Sequence, residues 1–154
     1  MNDQLTIEQA MLALDSSDYQ QQLKAIHFLE QERYKPALPK LLALLESKET
    51  LRKGGKLLLG AVAWAIGLIG DASTVPLLME VARKNNAVTH VFIATALHHL
   101  PSAAILLEML EKGDAVARAN AATMLGNLHY EAAIPQLIQT LQQDDDDNVK
   151  IEVS

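Results

Sequence analysis

The chain has 154 residues, of which 49% are hydrophobic, 21% charged and 4% aromatic, and its formal net charge is −6. This composition is typical of a globular domain with one core, and the negative charge argues against a general nucleic-acid-binding protein, which usually carries a basic stripe. The absence of cysteine excludes disulfides and thiolate metal sites.

Apolar residues at helical spacing, bounded by capping residues and prolines, predict only helices. A short helix near residues 7–14 begins with a capping box at Thr6 and Gln9, and Ser17 and Gln20 form a second box. Four pairs of helices follow. The first members (A helices) are predicted at residues 17–33, 51–69, 87–99 and 115–128. The second members (B helices) are predicted at residues 36–47, 73–84, 102–112 and 132–143.

Two of these pairs repeat each other without a gap. Residues 63–78 read AWAIGLIGDASTVPLL and residues 122–137 read ATMLGNLHYEAAIPQL, so that Gly67 aligns with Gly126 and Pro76 with Pro135. A fixed internal period of this kind indicates a stacked array of helical pairs. We expect a single domain with repeats at about 15–47, 49–86, 87–113 and 114–143. Residues 144–154 either start a further repeat or close the stack.

The motifs in the second and fourth repeats resemble HEAT repeats, and more narrowly the short bacterial form named after phycobilisome lyases. The resemblance is weaker in repeats one and three, where His27 and His98 replace the glycine. It implies an all-α, right-handed α-solenoid, with A helices outside and B helices lining a concave groove. Family members include scaffolds, adaptors, chaperone-like factors and bilin lyase subunits, so the fold alone constrains function poorly.

No residues assemble into a convincing catalytic or metal site. His98 and His99 are adjacent, but neighbours on a helix do not share a face, and the sequence has no His-Glu-x-x-His motif. All five histidines, His27, His90, His98, His99 and His129, are therefore interpreted as structural or surface residues. Residues 53–56, Lys-Gly-Gly-Lys, lack the flanking residues of a phosphate loop. We interpret them as a loosened helix start. The alternative is that they contact an anion or an acidic partner. The acidic run at 144–147 is interpreted as a helix cap rather than a calcium site. We therefore expect no enzyme activity and no cofactor.

The B helices predict a binding surface. When they are aligned on Pro39, Pro76, Ala104 and Pro135, the residues two, three and six positions later are apolar and should be core. Residues one, four, five and eight positions later should face the groove and bind a helix or extended segment of another protein. The predicted partner-binding residues are Lys40, Leu44, Leu77, Glu80, Val81, Lys84, Ile105, Glu108, Met109, Lys112, Gln136 and Gln139. Alternatively, some of them belong to the core of a tightly curved stack.

Trp64 predicts a second apolar area. Its equivalents in the other repeats are polar, so Trp64 and Leu68 could mark a contact on the outer face, or the longer first repeat could bury them.

These patterns favour a non-enzymatic, cytoplasmic scaffold that binds another protein, without nucleic acid or membrane. The polar N-terminus shows no signal peptide, and the longest apolar run, residues 57–70, is too short for a membrane span. The alternative, a bilin lyase-like or chaperone-like subunit acting on a tetrapyrrole-bearing protein, follows only from the resemblance.

Overall fold

The computed structural model describes residues 4–85, 87–144 and 146, and all regular secondary structure in these residues is helical. Nine α-helices and two one-turn 3-10 helices, at Lys35–Ala37 and Glu131–Ala133, account for it. The α-helices are α1 (Ile7–Ala13), α2 (Tyr19–Gln31), α3 (Leu38–Glu46), α4 (Lys48–Ile69), α5 (Thr74–Lys84), α6 (Ala87–His98), α7 (Ala103–Lys112), α8 (Ala115–Asn127) and α9 (Ile134–Gln143). Every predicted helix is present, which confirms the all-helical class. The exact bounds of the repeats stay a prediction, and residues 147–154 lie outside the described part.

One of the two predicted capping boxes is confirmed. Thr6 Oγ1 accepts from the Gln9 backbone N–H at 3.2 Å, and Gln9 Oε1 accepts from the Thr6 N–H at 3.0 Å. The second box is wrong, because Asp18 rather than Ser17 caps α2, with Oδ1 accepting from the Gln20 N–H at 2.9 Å. The Asp18 carboxylate is the stronger acceptor next to a helix start.

Successive helical pairs pack side by side through a continuous aliphatic core. Helix α4 packs against α2, α3 and α6, while α5 contacts α3, α6 and α8, and α7 packs on α8. The anchors used to align the repeats are all buried, namely Ile26, Ile66, Leu97 and Leu125. Burial of one such side chain contributes about 1.5–3 kcal/mol, so the shared interior joins the pairs into one body.

Two glycines shape α4. Gly55 has φ +56°, a left-handed conformation that interrupts the helix and confirms the predicted loosened start. Beside it, Glu49 pairs with Arg52 at 2.5 Å and with Lys53 at 3.4 Å, so this basic cluster is partly neutralised. Further along, Gly67 permits close approach of α6, because a Cβ there would lie 2.8 Å from the Ala96 carbonyl oxygen.

Ion pairs join one repeat to another near the ends of their helices, the first between the first and second repeats and the second between the second and fourth. Lys35 Nζ lies 2.8 Å from Asp71 Oδ2, and Arg83 Nη1 lies 3.3 Å from Asp114 Oδ2. Arg33 donates to the Leu68 carbonyl. These contacts link different repeats in addition to the shared core.

The core predicted for the B helices is correct in three repeats, and in the fourth it is correct for Leu137 and wrong for Ile138 and Leu141. Residues two, three and six after the reference position are buried or packed on the core in α3, α5 and α7. In α9, Ile138 and Leu141 are exposed, because no described helix covers that side.

Among the described helices, none has the length and apolarity that crossing a bilayer requires.

Candidate partner-binding surface

The most exposed of the predicted apolar groove residues is Leu77 on α5. Helices α3, α6 and α8 pack around α5, so only one side of it reaches solvent. Leu77 is 51% exposed there, and Glu80 and Lys84 follow it at spacings of three and four residues. These three residues, the α5 strip, form a continuous line along one helix face.

Charged pairs extend the α5 strip towards its neighbours. Lys84 Nζ lies 3.6 Å from Glu80 Oε1 and 3.9 Å from Oε1 of Glu46 on α3. On α7, Lys112 Nζ lies 3.6 Å from Glu108 Oε1. All these side chains are solvent-exposed, so the pairs add little to stability and can exchange partners at low cost.

Glu46 was not among the predicted site residues, although a signal for it existed. It lies seven residues after Pro39, and the equivalent positions hold Arg83, Glu111 and Gln142. A position that is polar in every repeat is itself a sign of a solvent-facing row.

The predicted residues of α7 lie together in one cleft. Ile105, Glu108, Met109 and Lys112 line an open cleft of about 290 Å³, together with Gly113 at the end of α7 and Ala117 of α8. A smaller cleft of about 90 Å³ brings Met109 together with Glu80 of α5. The surfaces of α5 and α7 are therefore continuous, although Ile105 and Met109 are only half-exposed.

The structure corrects the prediction for Val81. Its side chain is 6% exposed and belongs to the core rather than to the groove. Helices α3, α6 and α8 all pack against α5, and a ring nitrogen of His90 on α6 lies 2.9 Å from the Ala82 carbonyl oxygen beside Val81. Leu44 is likewise half-buried against the core. The apolar stripe is thus narrower than predicted.

Two further predicted residues already have intramolecular partners. Lys40 Nζ lies 2.5 Å from Asp15 Oδ2 and donates to the Met11 carbonyl at 3.1 Å, which ties α1 to α3. Gln136 Nε2 donates to the Leu107 carbonyl at 3.1 Å. Gln136 and Gln139 line a separate, polar cleft of about 640 Å³ between α7, α8 and α9.

Arg118 forms the wall of this polar cleft. Its Nε and Nη2 donate to the two carboxylate oxygens of Asp144 at 2.6 and 3.0 Å, and Nη1 donates to the Gly113 carbonyl at 3.0 Å. The hydrogen bonds to Asp144 raise the pKa of Arg118 above its already high value, so its charge is permanent. The cation is therefore used to hold the end of the helical stack.

On α4, Trp64 is half-exposed and its ring makes an edge contact with His99 at a centroid distance of 4.3 Å. The longer first repeat therefore does not bury it. Trp64 borders an open cleft of about 430 Å³ that also includes Val91, His98 and Leu128. Leu68 is not part of this lining.

In the described part of the chain, no three His, Asp or Glu side chains are arranged to hold a metal ion.

Paired helices stacked in series with a shared core define a helical-hairpin repeat protein. The model of the family described as HEAT repeats matches residues 103–154, and the model described as PBS lyase HEAT-like repeat matches residues 58–84. The chain is a HEAT-repeat protein. No curated protein matches it. Repeats of this family generally mediate protein–protein interactions.

Proposed function

We propose that this protein is a non-enzymatic, cytoplasmic scaffold or adaptor that binds a helix or extended segment of another protein through its B helices. The observation that supports this most directly is the α5 strip. There the exposed Leu77 lies beside charged residues, one of which, Lys84, pairs with Glu46 of α3. The adjoining clefts connect this surface to α7.

The proposed geometry is a right-handed α-solenoid of about four hairpins whose B helices line the concave side. The successive packing of α2, α4 and α6 supports this arrangement. A stack with one continuous core presents its surface as a rigid body, so a partner would lose conformational entropy while the scaffold would not.

In the proposed mechanism, apolar contacts supply affinity and ion pairs supply orientation. Leu77 and the exposed edges of Ile105 and Met109 would contact the apolar side of the partner. Glu80 and Lys84, with their counterparts on α7, would exchange intramolecular pairs for intermolecular ones. Rim charges of this type set the register and association rate more than the affinity.

The experiment that tests this function places a photo-reactive phenylalanine at position 77 in cells of the source organism. A matched chain carries the same group at position 57, since Leu57 is also exposed but lies on the A helix α4. Proteins cross-linked from position 77 and not from position 57 are then tested for binding to purified wild type, Leu77→Asp and Leu57→Asp chains.

The proposal expects a partner whose binding is weakened at least tenfold by Leu77→Asp and is unchanged by Leu57→Asp. Both substitutions are at exposed positions, so circular dichroism and thermal unfolding should match the wild type. Cross-links that are equal from the two positions, or binding that Leu77→Asp leaves intact, would count against this surface.

A second candidate function is a lyase-like or chaperone-like subunit that acts on a tetrapyrrole-bearing protein. The match of residues 58–84 to the PBS lyase HEAT-like model favours it. Titrating the purified chain with a free bilin and recording visible absorbance distinguishes the two candidates. A saturable spectral change supports the second, and a flat titration up to about 100 μM, the weak end of specific binding, removes it.

A further inference from the structure

The charges at the end of the α5 strip do not balance. Lys84 Nζ lies 3.6 Å from Glu80 Oε1 and 3.9 Å from Glu46 Oε1, so one ammonium group serves two carboxylates. Both distances are longer than a hydrogen bond, which spans about 2.7–3.2 Å, so each carboxylate can still accept a closer donor. The adjacent cation, Arg83, is paired with Asp114 of α8 at 3.3 Å. One negative charge is therefore in excess between α3 and α5.

The position of Glu46 in its helix strengthens this negative potential. Glu46 is the last residue of α3, and the last turn of that helix contains no basic residue. A helix C-terminus carries a partial negative charge, so a carboxylate there is unfavourable and a cation is favourable. Lys84, the last residue of α5, offsets part of this charge but has to offset Glu80 as well. A second cation placed between the two carboxylates would be stabilised.

The excess charge lies next to the exposed leucine of the strip. Leu77, which is 51% exposed, precedes Glu80 by three residues on the same face of α5, a distance of about 4.5 Å along the helix axis. Two helices pack through rows of residues with this spacing. An occupant that covers the strip therefore needs an apolar side chain and, one helical turn away, a cation.

We infer that the occupant of the α5 strip is a basic amphipathic helix of another protein. An apolar residue of that helix covers Leu77, and an arginine three or four residues away lies between Glu80 and Glu46. The planar guanidinium with its five donors can reach both carboxylates, which a lysine ammonium does less well. This inference rests on the proposed function and specifies the chemistry of the partner. Lys84 competes with the arginine for the same two carboxylates.

Two synthetic peptides of about 18 residues, or five helical turns, test the charge of the partner. Both are alanine-based helices with the same leucine stripe, and they differ only in carrying arginine or glutamate three residues after each leucine. Binding to the full chain is measured by fluorescence anisotropy in about 50 mM salt, where surface charges are weakly screened. The arginine peptide should bind at least about tenfold more tightly than the glutamate peptide, and Leu77→Asp should weaken its binding by a similar factor.

Lys84→Met gives the sharpest prediction. It removes the competing cation, so the arginine peptide should bind about threefold more tightly, mainly through faster association. Arg83→Met is the matched control, because it changes the net charge equally on the same helix but removes the cation that is paired with Asp114. Its effect on binding should be less than about 1.5-fold. Glu80→Gln should weaken binding about threefold, whereas Glu8→Gln, at an exposed position on α1, should not.

Failure of this inference can be distinguished from failure of the proposed function, which is decided by cross-linking from position 77. Tighter binding of the glutamate peptide, or weaker binding of the arginine peptide to Lys84→Met, would mean that the strip takes an acidic partner. Either result overturns the inference and leaves the proposed function intact. Absence of binding by both peptides up to about 200 μM, or arginine-peptide binding that Leu77→Asp does not weaken, also overturns it.

Discussion

Gly67 of α4 lies directly beneath the carbonyl oxygen of Ala96 in α6, and a Cβ at this glycine would also approach His99 Cβ to 3.0 Å. Backbone cannot give way like a flexible side chain, so Gly67→Ala must push the two helices apart. We predict a loss of about 1–3 kcal/mol in the free energy of unfolding, measured by urea denaturation.

Gly126→Ala is the matched substitution at the equivalent helical position. No described residue crowds it, and alanine is the better helix former, so stability should rise by up to about 1 kcal/mol. Equal effects of the two substitutions would contradict the assignment of Gly67 as the docking point of α6.

The ion pair between Arg118 and Asp144 should contribute more than the other loop pairs, because it is bidentate and the Asp144 side chain is only 6% exposed. Lysine at position 118 keeps the charge but cannot form the fork, so Arg118→Lys should cost about 1–2 kcal/mol. The control is Arg83→Lys, which alters a single, exposed contact to Asp114 and should cost less than about 0.5 kcal/mol. Thermal unfolding of the two variants measures both losses of stability. Similar losses in Arg118→Lys and Arg83→Lys would contradict the larger contribution of the Arg118–Asp144 pair.

Acid stability should depend on Asp71. Hydrogen bonds from Lys35, and then from Ser73, lower the pKa of Asp71 from 3.8 to about 2. The folded state binds this proton less readily than the unfolded state. The stabilisation is therefore fully present above the unfolded pKa and is lost as the pH falls from about 4 to about 2.

The measurement is the midpoint of thermal unfolding as a function of pH. Between about pH 4 and pH 2 it should fall less steeply in Asp71→Asn than in wild type, because the variant has no carboxylate to protonate. Lys35→Met, which removes the largest cause of the shift, should lie between the two. A variant curve parallel to that of wild type would show that this pair does not contribute to acid unfolding.

The helices could be predicted from the sequence because their signals are local. Apolar spacing, prolines and caps predicted all nine α-helices of the described residues, and the repeat alignment identified buried anchors such as Ile26 and Leu125. The cap of α2 was missed because two acceptors, Ser17 and Asp18, are adjacent, and the choice between them depends on local geometry.

The candidate surface was less predictable, because exposure depends on neighbouring helices that one repeat does not specify. Val81 and Leu77 are both apolar and four residues apart, yet the helices around α5 bury only Val81. The same reasoning explains Ile138, whose pattern predicts core but which no helix of the described residues covers. The pairing of Lys40 with Asp15 joins residues that the repeat alignment never compares.

The contrast between Val81 and Leu77 gives a further prediction. Val81→Asp would place a carboxylate among Leu78, Met79 and the other apolar residues of the core, so the variant should lose more than about 3 kcal/mol or fail to fold. Leu77→Asp puts the same group into water and should change stability by less than about 0.5 kcal/mol. Chemical denaturation followed by the fluorescence of Trp64, the single tryptophan, measures both. A stable Val81→Asp chain would indicate that Val81 is exposed and that the apolar stripe is as wide as predicted. A large loss of unfolding free energy in Leu77→Asp would mean that Leu77 supports the fold and is unsuitable as a probe of binding.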